Sequence, residues 1–134
     1  MIKTDFRGFT LAEFTIMFIL ICLISAVLLV EAGRLIRRSN EGLSKANLGI
    51  IRIAIMNYYS THNGQWPPEP LPYSLVPEFL TAVPYLNINH HPRTNEVKGS
   101  TIADTGCWSY NPVSGNFRID CTHRDLEGVP LSSW

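Results

Sequence analysis

An α+β fold is predicted: a long N-terminal helix, transmembrane in its first half and amphipathic in its second, packed on a small C-terminal antiparallel sheet or loop-rich head with a disulfide. Three observations predict it. An uncharged apolar run lies near the N-terminus, a proline-free stretch with helical spacing follows it, and the remainder is rich in Pro, Gly, Asn and Ser. The implied division is 1–8 leader peptide, 9–33 transmembrane helix, 34–62 amphipathic helix and 63–134 globular head.

The first element rests on the run from Phe9 to Val30, interrupted only by Glu13. It is about 22 residues, or about 33 Å as a helix, enough to cross a bilayer core. A secretory signal would place its small-residue cleavage site after the apolar stretch. Here Lys3, Arg7 and Gly8 come before it, and Glu31, Arg34, Arg37 and Arg38 come after it. Cleavage at Gly8 would leave the apolar segment on the mature chain. Basic residues flank both ends, so they do not set the orientation cleanly. Cys107 and Cys121 favour an oxidising compartment for the head, which puts the N-terminus in the cytoplasm.

Glu13 is the only charge between Gly8 and Val30. A carboxylate in a bilayer core costs on the order of 2.5–3.5 kcal/mol on insertion scales, so a partner is expected. Cutting after Gly8 would create a positive amine on Phe9, one helical turn away, on the same chain or a neighbour.

The stretch Gly8-Phe9-Thr10-Leu11-Ala12-Glu13, with Lys3 and Arg7 in a short leader, resembles the processing site of type IV prepilins and type II secretion pseudopilins. The resemblance is close over roughly the first 30 residues, and the general layout covers the chain. It implies a prepilin peptidase that cuts between Gly8 and Phe9 and N-methylates Phe9. It implies that Glu13 aligns each subunit during assembly. The implied protein is a structural subunit of a type IV pilus or pilus-like filament. A type II secretion pseudopilin or a minor pilin is the alternative within the family. Implied partners are copies of itself, other pilin-like subunits, the prepilin peptidase and an inner-membrane assembly platform, with membrane lipid before assembly. The implied location is a single-pass inner-membrane protein first, then an extracellular or periplasmic filament. Val30 stands where most major subunits have proline, and Cys22 where many have glycine. Some minor pseudopilins also lack that proline.

Beyond the apolar run, Leu48, Ile51, Ile55 and Tyr58 or Tyr59 recur at helical spacing. Their expected role is core packing against the head. Gly42 and Gly49 are soft points, and Asn63-Gly64 before Trp66-Pro67-Pro68 is the expected stop. In the head, 75–80 suggests a short helix and 100–103 a short strand. Cys107 to Tyr110 and Phe117 to Cys121 read as two strands joined by a turn at 111–115. Their register stays open. Opposing Cys107 to Cys121 turns Trp108 and Tyr110 away from Ile119 and Phe117, whereas opposing the apolar residues turns the cysteines apart. A bulge, or Cys107 just outside its strand, would reconcile the two.

A Cys107–Cys121 disulfide is expected. Closing so short a loop is worth about 3 kcal/mol, and the resemblance also implies a C-terminal disulfide. Cys22 is expected as a buried free thiol.

No cofactor and no metal are expected. His90, His91, Cys107, Cys121 and His123 are zinc-capable, but their spacing matches no compact finger. Asp120, Asp125 and Glu127 show no regular calcium-ligand spacing. Eleven basic and eleven acidic residues cancel, so no nucleic-acid partner is indicated. The chain is not expected to be an enzyme, since neither a nucleophile–base pairing nor a phosphate loop is visible. A function from a different class, a bitopic membrane protein with an extracytoplasmic binding head, predicts no cut at Gly8 and no role for Glu13.

Overall fold

The computed structural model describes residues 10–134, so the expected leader 1–8 and the expected cleavage and methylation positions Gly8 and Phe9 lie outside the described residues. Helix α1 runs from Leu11 to Thr61, 51 residues without interruption by Gly33, Gly42 or Gly49. The chain divides into two compact units between Ile36 and Arg37.

In the first unit, every described residue is exposed. The helix is long and apolar enough to cross a membrane. Leucine, isoleucine, phenylalanine and valine dominate it, and no proline breaks the backbone ladder. Cys22 is a free thiol, as expected, and lies on the open surface of the helix in the chain alone.

In the second unit, the helix buries one face. Ser44, Leu48, Ile51, Ala54 and Ile55 are buried, and Tyr58 packs at the edge of the core. The helix stops where Asn63 and Gly64 take positive φ values of 52° and 80°. There the Gly64 N–H reaches back to the Tyr59 carbonyl at 3.0 Å, the 6→1 closure of a Schellman-type end.

Helix α2 is short, Leu71–Leu75, and lies earlier than the expected 75–80. Pro72 suits the first turn, while Pro77 disfavours a helical Val76 and ends the element. Strands β1 (Val97–Lys98), β2 (Trp108–Asn111) and β3 (Asn116–Ile119) form one sheet in the order β1-β2-β3. The β2–β3 pair is antiparallel and β1–β2 is parallel, so the sheet is mixed rather than antiparallel. The third strand lies at 97–98, not at 100–103.

The parallel return needs an ordered crossing, and Asp120 supplies it. Its carboxylate accepts the N–H groups of Ala103 (2.7 Å), Asp104 (2.9 Å) and Thr105 (3.1 Å). Burial alone would raise this carboxyl. The Thr105 hydroxyl and those three N–H groups more than offset that and hold it below its ordinary value.

The β2–β3 turn carries the chemistry its sequence suggests. Asn111 Oδ1 accepts the N–H groups of Val113 and Ser114, and Gly115 takes φ 70°. A Cβ on Gly115 would stand 2.2 Å from the Trp66 ring, so only glycine fits.

Register decides the cysteines. Trp108 opposes Ile119 and Tyr110 opposes Phe117. Those four side chains are all buried in the core. With period-two alternation, Cys121 continues the Phe117–Ile119 face and Cys107 falls on the other. The expected Cys107–Cys121 disulfide is therefore corrected: both are free, buried thiols. Burying Trp108, Tyr110, Phe117 and Ile119 together, at roughly 1.5–3 kcal/mol for each large side chain, outweighs the roughly 3 kcal/mol of a loop-closing bond. The aromatic polar atoms are also met. Trp108 Nε1 donates to the Pro84 carbonyl at 2.9 Å, and the Tyr110 hydroxyl donates to Pro67 at 2.8 Å.

Candidate functional site

Three places in the chain hold features that packing alone does not explain. The first is the start of α1. Glu13 Oε2 accepts both the Thr10 N–H and the Thr10 hydroxyl, each at 2.8 Å. The Glu13 N–H in turn donates to Thr10 Oγ1 at 3.3 Å. This is a reciprocal capping box, Thr at the cap and Glu at the third helical position. The Thr-x-x-Glu spacing is the sequence signal for it, and reasoning centred on a charged partner passes over it. Both carboxylate bonds fall on Oε2.

The second place is the surface of α1. In the first unit Leu11, Phe14, Ile16, Phe18 and Leu23 through Val30 stand in the open. In the second unit Leu43, Ile50, Ile53 and Met56 are also exposed, at 57, 47, 63 and 55%. At about 100° per residue these four occupy the arc facing away from Leu48, Ile51 and Ile55. This part of the helix therefore has two apolar faces, one against the head and one open. The sequence stripe identified only the first.

The third place is in the head. His91, Asp104, Cys121 and His123 bring one ligand-capable atom each to within 4.8 Å of one another. His91 comes from the segment before β1, Asp104 from the β1–β2 crossing, and Cys121 and His123 from the end of β3. Cys121 Sγ lies 3.3 Å from His123 Nδ1. Asp104 Oδ1 lies 3.6 Å from His123 Nδ1 and 3.8 Å from His91 Nε2. Asp104 takes a left-handed φ of 55°, and its Oδ1 accepts the Thr122 N–H at 2.7 Å. That bond holds the Asp104 carboxyl below its ordinary value. Burial pushes the Cys121 thiol up to about 11. Of the zinc-capable residues in the sequence, His91, Cys121 and His123 come together here. His90 instead stacks on His123, and Cys107 turns towards Glu96. Asp104 carries no sequence signal, because its position depends on the Asp120 cradle.

The acidic residues weighed for calcium do not converge. Asp120 is occupied by the crossing. Asp125 binds the N–H groups of Glu127 and Val129, with Lys45 Nζ at 3.3 Å and Trp134 Nε1 at 3.0 Å.

No protein-family profile, curated protein or solved structure matches the chain.

Proposed function

We propose that this chain is a structural subunit of a type IV pilus or pilus-like filament, processed after Gly8 and polymerised through its N-terminal helix. One observation carries the reading: a helix whose apolar first part is exposed all round and whose one charge before Glu31 is Glu13 near its start. In the membrane, lipid covers that surface. In a filament, the same surface of neighbouring subunits covers it. The open face of Leu43, Ile50, Ile53 and Met56 supports the reading, since it is a second apolar surface that a neighbouring subunit would cover. Polymerisation requires no catalysis by the chain itself. Glu13 Oε2 is held by Thr10, and the Phe9 amine of a neighbour would approach the same carboxylate. A secretion pseudopilin or a minor pilin would use the same helix.

The second reading, a bitopic membrane protein with an extracytoplasmic head, is favoured by the capping box, which gives Glu13 a partner within its own helix. Processing separates the two. In cells with an active prepilin peptidase, intact-mass analysis is expected to show residues 9–134 with one added methyl group on Phe9. A chain that retains Met1 to Gly8 under those conditions would reject the filament reading in favour of the bitopic one.

A further inference from the structure

We propose that His91, Asp104, Cys121 and His123 form a structural zinc site that staples three segments of the head. The donor set is one sulfur, two imidazole nitrogens and one carboxylate oxygen. That mixture suits Zn²⁺, and four protein ligands with no open position mark a structural site rather than a catalytic one.

The distances fit. Bonds of about 2.0–2.3 Å in a tetrahedral shell give ligand-to-ligand edges of roughly 3.3–3.8 Å. The measured separations of 3.3, 3.6 and 3.8 Å fall in that range. The remaining ones are under 4.8 Å and need only a small inward movement.

A second observation points to a ligand independently. His91 Nε2 is buried and has no hydrogen-bond partner among the described residues. Asp104 Oδ1, at 3.8 Å, is beyond hydrogen-bonding reach of it. A buried, unpaired ring nitrogen is costly, and a metal ion at the centre of the cluster would satisfy it. The fold also makes room for this ring. A Cβ on Gly106 would stand 2.2 Å from His91 Cγ, so glycine at that position lets the imidazole reach the cluster.

Charge balances as well. Binding releases the Cys121 thiol proton to solvent and uses neutral imidazoles. Zn²⁺ with one thiolate and one carboxylate is then net neutral, which suits a partly buried site. Asp104 is already oriented by the Thr122 N–H, the kind of outer hydrogen bond that fixes a metal-binding carboxylate. The ion would join the 91 segment, the β1–β2 crossing and the end of β3, tying down a small head whose two cysteines are not joined to each other.

The test uses the full chain in detergent, purified without a histidine tag and titrated with Co²⁺ as a spectroscopic probe and with Zn²⁺. Expected are one metal per chain, the visible bands of four-coordinate Co²⁺ and a sulfur-to-cobalt charge-transfer band. Zn²⁺ should displace the cobalt and, at urea concentrations that open the head enough to expose its buried thiols, slow the alkylation of Cys121 more than that of Cys107. Cys121→Ser should abolish the charge-transfer band. His91→Gln should weaken Zn²⁺ binding by roughly 100-fold or more, beyond the loss typical of an outer-sphere change. Cys107→Ser and His62→Gln should leave both readouts intact. Because Cys121→Ser could disturb folding, the alkylation of Cys121 in the unaltered chain is the independent measure. Equal rates of Cys121 alkylation with and without Zn²⁺ across that urea range, or a cobalt spectrum without a sulfur band, would overturn the site.

Discussion

Trp108 and Ile119 stand directly opposite each other across the β2–β3 ladder, both at 0% exposure, and that pairing places Cys107 and Cys121 on different faces of the sheet. Cys107 does lie just outside β2, yet the two are not joined; a disulfide would require either a bulge beside Cys107 or a slip of the ladder by one residue. In the slipped register every side chain on β3 would change face, and Trp108 and Tyr110 would lose Phe117 and Ile119.

Peptide mapping under non-reducing, thiol-blocking conditions is therefore expected to return Cys107 and Cys121 as separate alkylated peptides. A 107–121 cross-link would show that the end of this ladder is bulged or slipped relative to the register that opposes Trp108 to Ile119.

Ser44 is predicted to anchor the helix to the head. Its hydroxyl donates to the Asn87 carbonyl at 2.8 Å and accepts the Asn87 N–H at 3.1 Å, at 0% exposure. Ser44→Ala leaves both backbone groups without this partner and is expected to cost about 1–3 kcal/mol. Ser60→Ala, which loses only a bond to its own helix, is the control. Urea melts should show a lower midpoint for Ser44→Ala alone.

Tyr110 links the head's stability to alkaline pH. Burial first, then the nearby charges of Glu69 and Tyr58, raise its hydroxyl to about 12. The unfolded value is about 10, so between these values the unfolded chain has given up a proton that the folded chain keeps. This contribution is full below about pH 10 and is lost as pH rises through the folded value. Tyr110→Phe should cost about 1 kcal/mol at neutral pH, through loss of the bond to Pro67. It should also flatten the fall in stability above about pH 10. Thermal melts of both proteins across that range measure the difference.

Glu13 separates a capping role from an assembly role. The capping box makes Thr10 and Glu13 equal partners at the helix start, worth about 1 kcal/mol. If capping were the only role, Thr10→Ala and Glu13→Ala would have equal, mild effects. In the filament reading, Glu13→Ala and Glu13→Gln leave processing and insertion intact but abolish filaments, whereas Thr10→Ala assembles. Filament yield in shear fractions, set against the membrane pool of mature subunit, checks this. Normal yield from Glu13→Ala would remove the pairing role.

The sequence by itself determined the features that depend on neighbours along the chain. The long helix, its apolar first part, the core stripe of Leu48, Ile51 and Ile55, the stop at Asn63-Gly64 and the turn at 111–115 all follow from local periodicity and backbone preference. Thr10 and Glu13 were equally local, as a three-residue spacing. Tertiary structure alone decided the rest. Whether Cys107 met Cys121 depended on which of two registers buried more apolar surface, and local pattern ranked neither. The parallel placement of β1 depended on the Asp120 carboxylate gathering the N–H groups of 103–105. That same cradle set Asp104 beside His91, Cys121 and His123, residues up to 32 positions apart along the chain. A metal-binding geometry assembled from three segments has no fixed spacing to read, because the distances that define it exist only after the chain has crossed back on itself.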